Sequence, residues 1–358
     1  MQVAVAYEPG QPLVLEDLPQ PAVGPRDVLV RISASGICHT DVTVVDGLSA
    51  LPLPIVPGHE ACGVVEEVGR EVRRVRPGDR VLASVSPACG SCWSCLNAMS
   101  NHCELGPSIV RTPRFALPDG RAATALCGCG TFAEAMVVHE ASVVAVETSL
   151  PDEQLALLGC GVTTGLGAAL FTAGVSPGSS VAVIGCGGVG QAVIQGAFLS
   201  GAARVIAIDP VAPRRAACLR IGATHAVDPA QGDPVEQVRA LTSGRGADYT
   251  FEVVGRPELM AQAYEMARTE GTVTLVGMPA SGSTLTLPAS SAVFSGKRLV
   301  GSAVGGAQVL RDFPRFIELA ESGRLDLGAL VSRRITLEQV NEGLAELARA
   351  EGVRTVIV

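Results

Sequence analysis

The chain has 358 residues, of which 47% are hydrophobic and 17% charged, and its net charge is −8. This composition predicts a folded chain long enough for two domains, and the lack of any basic cluster argues against a nucleic-acid partner. Eleven cysteines, with no secretory signal at the N-terminus, indicate a reducing cytoplasmic location and metal ligation rather than disulfides.

The first 150 residues are predicted to be rich in β-strands. Short apolar runs such as "DVLVRISASG" (27–36) and "DRVLASV" (79–85) alternate with Pro- and Gly-containing turns. This pattern is typical of a barrel-like or sandwich-like unit.

The pattern changes after Pro151, where helical spacing begins and strands then alternate with helices. Strands are predicted at 180–186, 204–209, 248–255 and 272–279, and helices at 188–201, 213–223 and 257–271. Such alternation predicts a parallel sheet with helices on both faces. Near residue 303 the alternation ends, and the two helices and final strand that follow are expected to fold back onto the N-terminal domain.

One nearly uncharged segment, 181–199, could be mistaken for a membrane helix. Its five glycines, and the missing basic flank before it, favour a buried strand that turns into a helix. No membrane partner is therefore expected.

A glycine-rich turn lies inside that segment. The stretch "VAVIGCGGVG" supplies Gly185, Gly187, Gly188 and Gly190 between an apolar strand and a helix, and Asp209 ends the next strand. The glycines let the backbone approach a pyrophosphate, and the helix N-terminus favours its negative charge. The carboxylate of Asp209 would accept hydrogen bonds from ribose hydroxyls and repel a 2′-phosphate, which predicts NAD as the cofactor.

Two alternatives to this interpretation stay open. Either Arg214 or Arg215 could reach a 2′-phosphate, which would favour NADP. A glycine-rich turn could also serve an α/β domain that binds something else.

Four cysteines in "CGSCWSCLNAMSNHC" have the spacing C-x2-C-x2-C-x7-C. They are Cys89, Cys92, Cys95 and Cys103. Four thiolates within 15 residues can close a tetrahedron around Zn²⁺ and leave no position for substrate, which favours a structural zinc. A redox dithiol or an iron–sulfur cluster is the alternative, although a loop of Pro, Gly, Ser and Asn is not the usual place for a dithiol.

Three further candidate ligands, Cys38, His59 and Cys160, are scattered over 122 positions. Taken singly, each has a plain interpretation as a buried thiol or a hydrogen-bonded histidine. Spacing alone does not unite them.

The chain as a whole resembles the zinc-dependent medium-chain alcohol dehydrogenases. The resemblance is carried, besides the four-cysteine loop, by "GICHTD" (36–41), "GHEACGVVEEVG" (58–69), "GCGVTTGLGAA" (159–169), "GCGGVG" (185–190) and "VRTVIV" (353–358). The nearest branch looks like the long-loop group with the class I and class III enzymes and their actinobacterial relatives. The resemblance implies a β-rich GroES-like catalytic domain, 1–160 with 303–358, and a Rossmann NAD-binding domain with a doubly wound parallel sheet, 161–302.

The resemblance also implies two zinc ions per chain. Cys38, His59 and Cys160 would hold the catalytic zinc, with one coordination position open to substrate. Thr40 would be the first proton carrier. Asp41 would orient His59, and Glu60 would lie close behind the metal.

Other positions match the family's cofactor and substrate contacts. The implied cofactor contacts, besides the glycine turn and Asp209, are His39, Thr164, Val189, Arg214, Met278 and Arg354. The implied pocket is lined by Val85, Leu126 and Cys127, with Met278 nearby, and its apolar character favours medium-size, branched or aromatic alcohols. Neither Cys127 nor Cys129 has a known family role, and the two are expected to lie on one face of a strand.

The sequence departs from the family at two places. Thr43 stands where some members carry a relay histidine, and a threonine cannot act as a base near neutral pH. The residues after Cys103 lack the arginine of the glutathione-dependent formaldehyde branch, which weakens the hypothesis of a thiol-adduct formaldehyde dehydrogenase.

The leading hypothesis is an NAD-dependent zinc enzyme that oxidises a primary or aromatic alcohol to the aldehyde, reversibly. Alternatives are a biosynthetic oxidoreductase that reduces a bulky carbonyl or imine, and a silent relative that only binds the dinucleotide. The resemblance implies a homodimer, with "RLVGSAVG" (298–305) as the edge strand at its interface.

Overall fold

The computed structural model describes residues 1–358, which form two compact units. The β-rich unit comprises Met1–Cys160 and Gln308–Val358, and the parallel-sheet unit comprises Gly161–Ala307. The second boundary lies a few residues beyond the expected position near 303.

The chain contains eighteen strands and twelve α-helices. The strands are β1 (Gln2–Val5), β2 (Val14–Asp17), β3 (Asp27–Gly36), β4 (Ile55–Val56), β5 (Glu60–Val68), β6 (Arg80–Ala83), β7 (Pro113–Ala116), β8 (Ala122–Ala125), β9 (Ala135–His139), β10 (Val143–Ala145), β11 (Ser180–Ile184), β12 (Arg204–Ile208), β13 (His225–Val227), β14 (Ala247–Glu252), β15 (Ala267–Leu275), β16 (Arg298–Gly301), β17 (Val331–Ile335) and β18 (Arg354–Ile357). The helices are α1 (His39–Val45), α2 (Trp93–Leu96), α3 (Gly106–Arg111), α4 (Asp152–Ala156), α5 (Gly161–Gly167), α6 (Gly188–Leu199), α7 (Ala212–Arg220), α8 (Pro234–Leu241), α9 (Pro257–Met266), α10 (Ala289–Phe294), α11 (Val309–Glu321) and α12 (Val340–Ala348).

The β-rich unit is built around a seven-stranded sheet in the order β10-β6-β5-β3-β18-β17, with β9 also paired to β3. Strand β3 is central because its long alternating run pairs with β5, β9 and β18. In this register Gly36 lies opposite both Glu60 of β5 and Val356 of β18. The sheet thus brings the end of the chain next to the beginning of β5.

The parallel-sheet unit contains six strands in the order β13-β12-β11-β14-β15-β16. Its strands are buried on both faces, because alternate residues of β11 enter different apolar clusters. Val181 and Val183 pack in one cluster, and Ala182 and Ile184 in the other. The structure confirms the predicted class, a β-rich unit joined to a doubly wound parallel sheet.

The largest error among the predicted element boundaries lies between α9 and β15. The helix expected over 257–271 ends at Met266, and β15 already begins at Ala267. Ala267 pairs with Ala247 in the parallel ladder, and Glu270 then adopts a positive φ of 57° before the ladder resumes at Thr272. Strand pairing therefore overrides the helical propensity of "ARTE".

The uncharged segment 181–199 is divided between β11 and α6. No single helix in the chain is long and apolar enough to cross a membrane. One bent pair, Asp152–Gly159 with Gly161–Thr172, meets the criterion by length and composition alone.

Candidate metal centres and dinucleotide site

The first metal centre consists of Cys38, His59, Glu60 and Cys160, all within the β-rich unit. Cys38 directly precedes α1, and Cys160 directly precedes α5. Glu60 is the first residue of β5, and His59 directly precedes it. One potential ligand atom from each lies within 4.8 Å of the others. The structure thus brings together three residues that spacing alone could not unite.

The donor atoms of this centre fit a zinc ion. Two sulfurs and one imidazole nitrogen are a known catalytic zinc set. His59 is 1% exposed, and its Nε2 atom is buried without a hydrogen-bond partner. A buried polar atom of this kind calls for a partner, and a metal bound there would provide one.

The Asp41 carboxylate makes hydrogen bonds that position residues of the first centre. Its Oδ1 atom lies 3.1 Å from His59 Nδ1 and accepts a hydrogen bond from the Gly58 amide at 2.9 Å. Its Oδ2 atom accepts one from the Cys38 amide at 2.8 Å. A carboxylate at Nδ1 favours the tautomer that leaves the Nε2 lone pair free for a metal. One buried side chain therefore orients two candidate ligands.

The pKa values of the centre reflect its close packing. The contact with Cys160 lowers the pKa of Cys38, and the same contact raises the pKa of Cys160. Burial opposes the charged form of His59, but Asp41 and Cys160 together raise the pKa of His59. The site thus favours a thiolate at Cys38, the form that binds metal.

Glu60 and Arg354 form a buried ion pair at this centre. The guanidinium of Arg354 donates to Glu60 Oε2, and the side chains are 5% and 0% exposed. Burial raises the pKa of Glu60, and the positive charge of Arg354 opposes that rise. Gly36 leaves room for the pair, because a Cβ atom there would collide with Glu60 Oε2. Arg354 thus lies against Glu60, and its implied contact with a pyrophosphate stays a prediction.

The second metal centre consists of Cys89, Cys92, Cys95 and Cys103. The sulfurs of Cys89 and Cys95 are 3.8 Å apart, and those of Cys92 and Cys103 are 3.9 Å apart. Burial would raise the pKa of Cys89, but backbone amides, including that of Cys92 at 3.3 Å, lower it to about 6. Four converging sulfurs with amide donors fit a tetrahedral metal better than a dithiol pair.

The glycine turn of the parallel-sheet unit joins β11 to α6. Gly185 has a φ of 96°, a conformation that favours glycine. Asp209, just after β12, accepts hydrogen bonds from the amides of Cys186 and Val211, both at 2.8 Å. The Asp209 carboxylate therefore connects the end of β12 to the glycine turn that follows the neighbouring strand β11.

The implied pocket residues lie in different surroundings. Leu126 is 1% exposed and packs in the apolar cluster of the β-rich unit, whereas Met278 of the other unit is 58% exposed. Val85 is only partly buried. Burial raises the pKa of Cys127, and this side chain packs against the same apolar cluster as Leu126.

The expectation that Cys127 and Cys129 share one face of a strand is wrong. Residues 126–128 form a 3₁₀ turn in which Cys127 has a φ of 55°. Cys129 is buried and its thiol lies 3.9 Å from the Ser84 carbonyl oxygen. The glycines on either side of Cys129 permit this turn, because both have positive φ.

The remaining predicted residues differ in exposure. Thr40 Oγ1 is 3.8 Å from Cys38 Sγ, and His39 is exposed. Thr164 lies in α5, Val189 in α6 and Arg214 in α7, each partly exposed.

Sequence reasoning missed two supporting side chains. Arg74 donates to the carbonyl oxygens of Ala88 and Cys89, at 2.5 and 2.8 Å, and so fixes the start of the four-cysteine loop. Gln191 donates to the carbonyl oxygen of Cys186 at 3.1 Å, within the glycine turn. Both act on backbone groups, which leave no signal in the sequence.

Comparison with known proteins agrees with this geometry. Residues 24–148 match the alcohol dehydrogenase GroES-like domain, and residues 188–322 match the zinc-binding dehydrogenase family. The NDMA-dependent alcohol dehydrogenase of Amycolatopsis methanolica is 37% identical over 369 residues, which cover 100% of this chain and 98% of that protein.

Solved structures give the same result. An alcohol dehydrogenase zinc-binding domain protein from Burkholderia ambifaria superposes with a TM-score of 0.93 at 32% identity, covering 99% of this chain and 98% of that one. The benzyl alcohol dehydrogenase of Acinetobacter calcoaceticus superposes with a TM-score of 0.92 at 28% identity and the same coverage. The predicted GroES-like and Rossmann folds are confirmed, and the chain belongs to the zinc-dependent medium-chain alcohol dehydrogenase family.

Proposed function

We propose that this protein oxidises primary or aromatic alcohols of medium size to aldehydes, reversibly, with NAD as the hydride acceptor. Membership of the family makes it a zinc-dependent oxidoreductase acting on alcohols. The observation that carries the proposal is the convergence of Cys38, His59 and Cys160, in which the buried His59 Nε2 atom has no hydrogen-bond partner. An intact ligand set speaks against a silent relative that only binds a dinucleotide.

Cys38, His59 and Cys160 would hold the catalytic zinc, and the four cysteines of the second centre would hold a structural one. A zinc ion in the first centre would supply Lewis-acid polarisation of the substrate oxygen. Asp41 would keep His59 in the tautomer that leaves Nε2 available. Arg354 would neutralise the buried charge of Glu60, so that this carboxylate does not compete for the metal.

Thr40 would carry the first proton away from the substrate hydroxyl. A hydroxyl group can accept a proton and donate another, and Thr40 Oγ1 lies beside Cys38. Thr43 cannot extend the path as a base. Its own hydroxyl donates to the His39 carbonyl oxygen at 3.0 Å. The proton would therefore leave through water or the cofactor ribose.

The preference for NAD is supported by the surroundings of Asp209. Arg215, which could have reached a 2′-phosphate, donates instead to Asp228 at 2.9 Å and to the Asp209 carbonyl oxygen at 2.6 Å. Asp209 remains as the negative charge at the end of β12, where it would repel a second phosphate. Bound NAD would supply the carbon that accepts the hydride.

A panel of primary, branched and benzylic alcohols, assayed with NAD and with NADP, tests this proposal. We expect NADH formation with medium-size and benzylic alcohols, a clear preference for NAD, and about two zinc ions per chain by metal analysis. One zinc per chain together with no reduced cofactor across the panel would refute it. A strong preference for NADP would refute only the assignment of the cofactor.

Asp41→Asn should weaken zinc binding at the first centre by about tenfold to a hundredfold. The amide keeps the volume of the side chain, but it removes the charge that orients His59 and holds Cys38. Competition with a chromophoric chelator measures the affinity directly, without an activity assay. Asp46→Asn, at the exposed C-terminal end of the same helix, is the matched control and should bind zinc like the unmodified protein. Equal zinc affinity in both variants would contradict the proposed role.

The homodimer is a further part of the proposal, with β16 as its edge. In the parallel-sheet unit β16 pairs only with β15, so its other side is open. Leu299 of this strand is 42% exposed, and Val293 and Phe294 of the preceding helix are 73% and 85% exposed. An open edge flanked by exposed apolar side chains favours pairing with a second copy.

Phe294→Asp should shift the protein from dimer toward monomer, because a charge would be placed in an apolar contact. Light scattering coupled to gel filtration, at several concentrations, measures the mass. Phe198→Asp is the matched control, since Phe198 is 58% exposed on α6, away from the edge strand. A Phe294→Asp variant that remains dimeric at low micromolar concentration would rule out this surface.

A further inference from the structure

The parallel sheet reverses its winding between β11 and β14. Strand β11 pairs with β12 on one side and with β14 on the other, so the chain connections leave in opposite directions. In open α/β sheets, ligands bind outside the carboxyl ends of the strands at such a point. Glu252 is the last residue of β14 and lies opposite Ile184 of β11 and Leu275 of β15. It therefore lies at the place where a dinucleotide is expected.

The side chain of Glu252 holds the loop that follows its own strand. Its Oε1 atom accepts hydrogen bonds from the amides of Val254 and Gly255 at 2.9 and 2.8 Å, and a longer one from Arg256 at 3.5 Å. Successive amides that point to one site form a nest for an anion. Here the protein fills the nest with its own carboxylate.

The main chain of Glu252 holds the neighbouring loop as well. Its carbonyl oxygen accepts hydrogen bonds from the amides of Val276 and Gly277 at 2.8 and 3.0 Å. The two loops are in close contact, because a Cβ atom at Gly277 would lie 2.7 Å from Gly255 Cα. A single residue thus fixes both loops at the carboxyl edge of the sheet.

The loop held by Glu252 packs directly on the glycine turn. A Cβ atom at Gly185 would lie 2.6 Å from Val254 Cγ2 and 3.1 Å from Val253 Cγ2, and one at Gly190 would lie 3.3 Å from Val253 Cγ2. These distances leave no room between the loop and the turn. A displacement of Val253 or Val254 would therefore displace the glycine turn.

A glutamate at position 252 is unfavourable for the stability of the fold. It is 0% exposed, and its second carboxyl oxygen, Oε2, is buried without a hydrogen-bond partner. Burial raises its pKa, which opposes the charged form. Buried polar atoms without partners are destabilising, and local violations of this kind are expected mainly where a site must be held in place.

We propose that Glu252 is a positioning residue for dinucleotide binding. Its carboxylate fixes residues 253–255 and thereby holds the glycine turn in the shape that receives the pyrophosphate. The inference rests on the proposed function, in which that turn binds a nicotinamide dinucleotide.

Titration of the whole protein with NADH, followed by fluorescence or calorimetry, tests this role without an activity assay. We expect Glu252→Ala to raise the Kd for NADH about tenfold, while kcat at saturating NAD and alcohol changes much less. Glu252→Gln should restore most of the affinity, because an amide oxygen can accept from the same three N–H groups.

Thr250→Val is the matched control on the same strand. Thr250 is buried, and its hydroxyl donates to the Ala263 carbonyl oxygen at 2.9 Å, toward α9 and away from the loop. This variant should lower the melting temperature and leave the Kd for NADH unchanged.

If Glu252→Ala does not fold, Glu252→Asp takes its place, since a side chain shorter by one methylene cannot reach all three amides. A Glu252→Ala or Glu252→Asp variant that binds NADH as tightly as Thr250→Val would overturn the inference. Failure of the unmodified protein to bind NADH would instead refute the proposed function, so the two failures are distinguishable.

Discussion

We expect Cys38→Ala to lower kcat/KM for alcohol oxidation at least about a thousandfold while the protein stays folded. Lewis-acid stabilisation by a metal is worth several kcal/mol, and each 1.36 kcal/mol corresponds to about a tenfold change in rate. Cys38 supplies one of only three zinc ligands proposed for the first centre, so the metal content should fall by about one zinc per chain. Steady-state kinetics, metal analysis and circular dichroism together measure these effects.

Cys62→Ala is the matched control for this variant. Cys62 lies in β5, three positions after His59, and is buried like Cys38. Its thiol points to Asp152 Oδ1, at 3.3 Å, and it is not part of the metal centre. The control should keep both zinc ions and its turnover. A Cys38→Ala variant with undiminished turnover would show that the first centre is not the site of reaction.

The second large effect is expected for Cys92→Ala, which should destabilise the fold before it affects the chemistry. Cys92 Sγ lies 3.9 Å from Cys103 Sγ and accepts a hydrogen bond from the Cys95 amide at 3.4 Å. Because the binding free energy of a structural zinc is also folding free energy, we expect unfolding to become easier by more than about 4 kcal/mol. At this chain length that corresponds to a fall in melting temperature of about 5 °C or more.

Thermal unfolding measured together with zinc content checks this prediction, with Ser91→Ala as control. Ser91 Oγ lies 3.6 Å from Cys89 Sγ, but the serine offers no thiolate. The control should melt like the unmodified protein. A Cys92→Ala variant that kept its stability and lost only turnover would contradict the division between a catalytic and a structural centre.

The parts of the fold that the sequence predicts are those with local periodicity. The alternation of strands and helices after Pro151 and the glycine turn with Asp209 are read within windows of a few residues. The end of α9 was not predictable in this way, because Ala267 joins β15 through pairing with Ala247, twenty residues earlier in the chain.

The first metal centre shows that local sequence patterns do not predict a site whose residues are far apart in the chain. Cys38, His59 and Cys160 share no spacing rule, and only family resemblance suggested that they belong together. Residues that support a site are still harder to predict from sequence. Glu252, for example, accepts hydrogen bonds from backbone amides, which every sequence possesses. The positive φ of Cys127 likewise depends on its tertiary surroundings and not on the cysteine itself.

The ion pair between Glu60 and Arg354 links the first centre to the order in which the chain is made. The two residues are 294 positions apart, whereas Cys38, His59 and Cys160 all precede the parallel-sheet unit. During synthesis the three candidate ligands leave the ribosome long before Arg354, which forms an ion pair with Glu60. Until β18 pairs with β3, a nascent centre would lack this ion pair beside its ligands, so its final electrostatics are set only when translation reaches that strand.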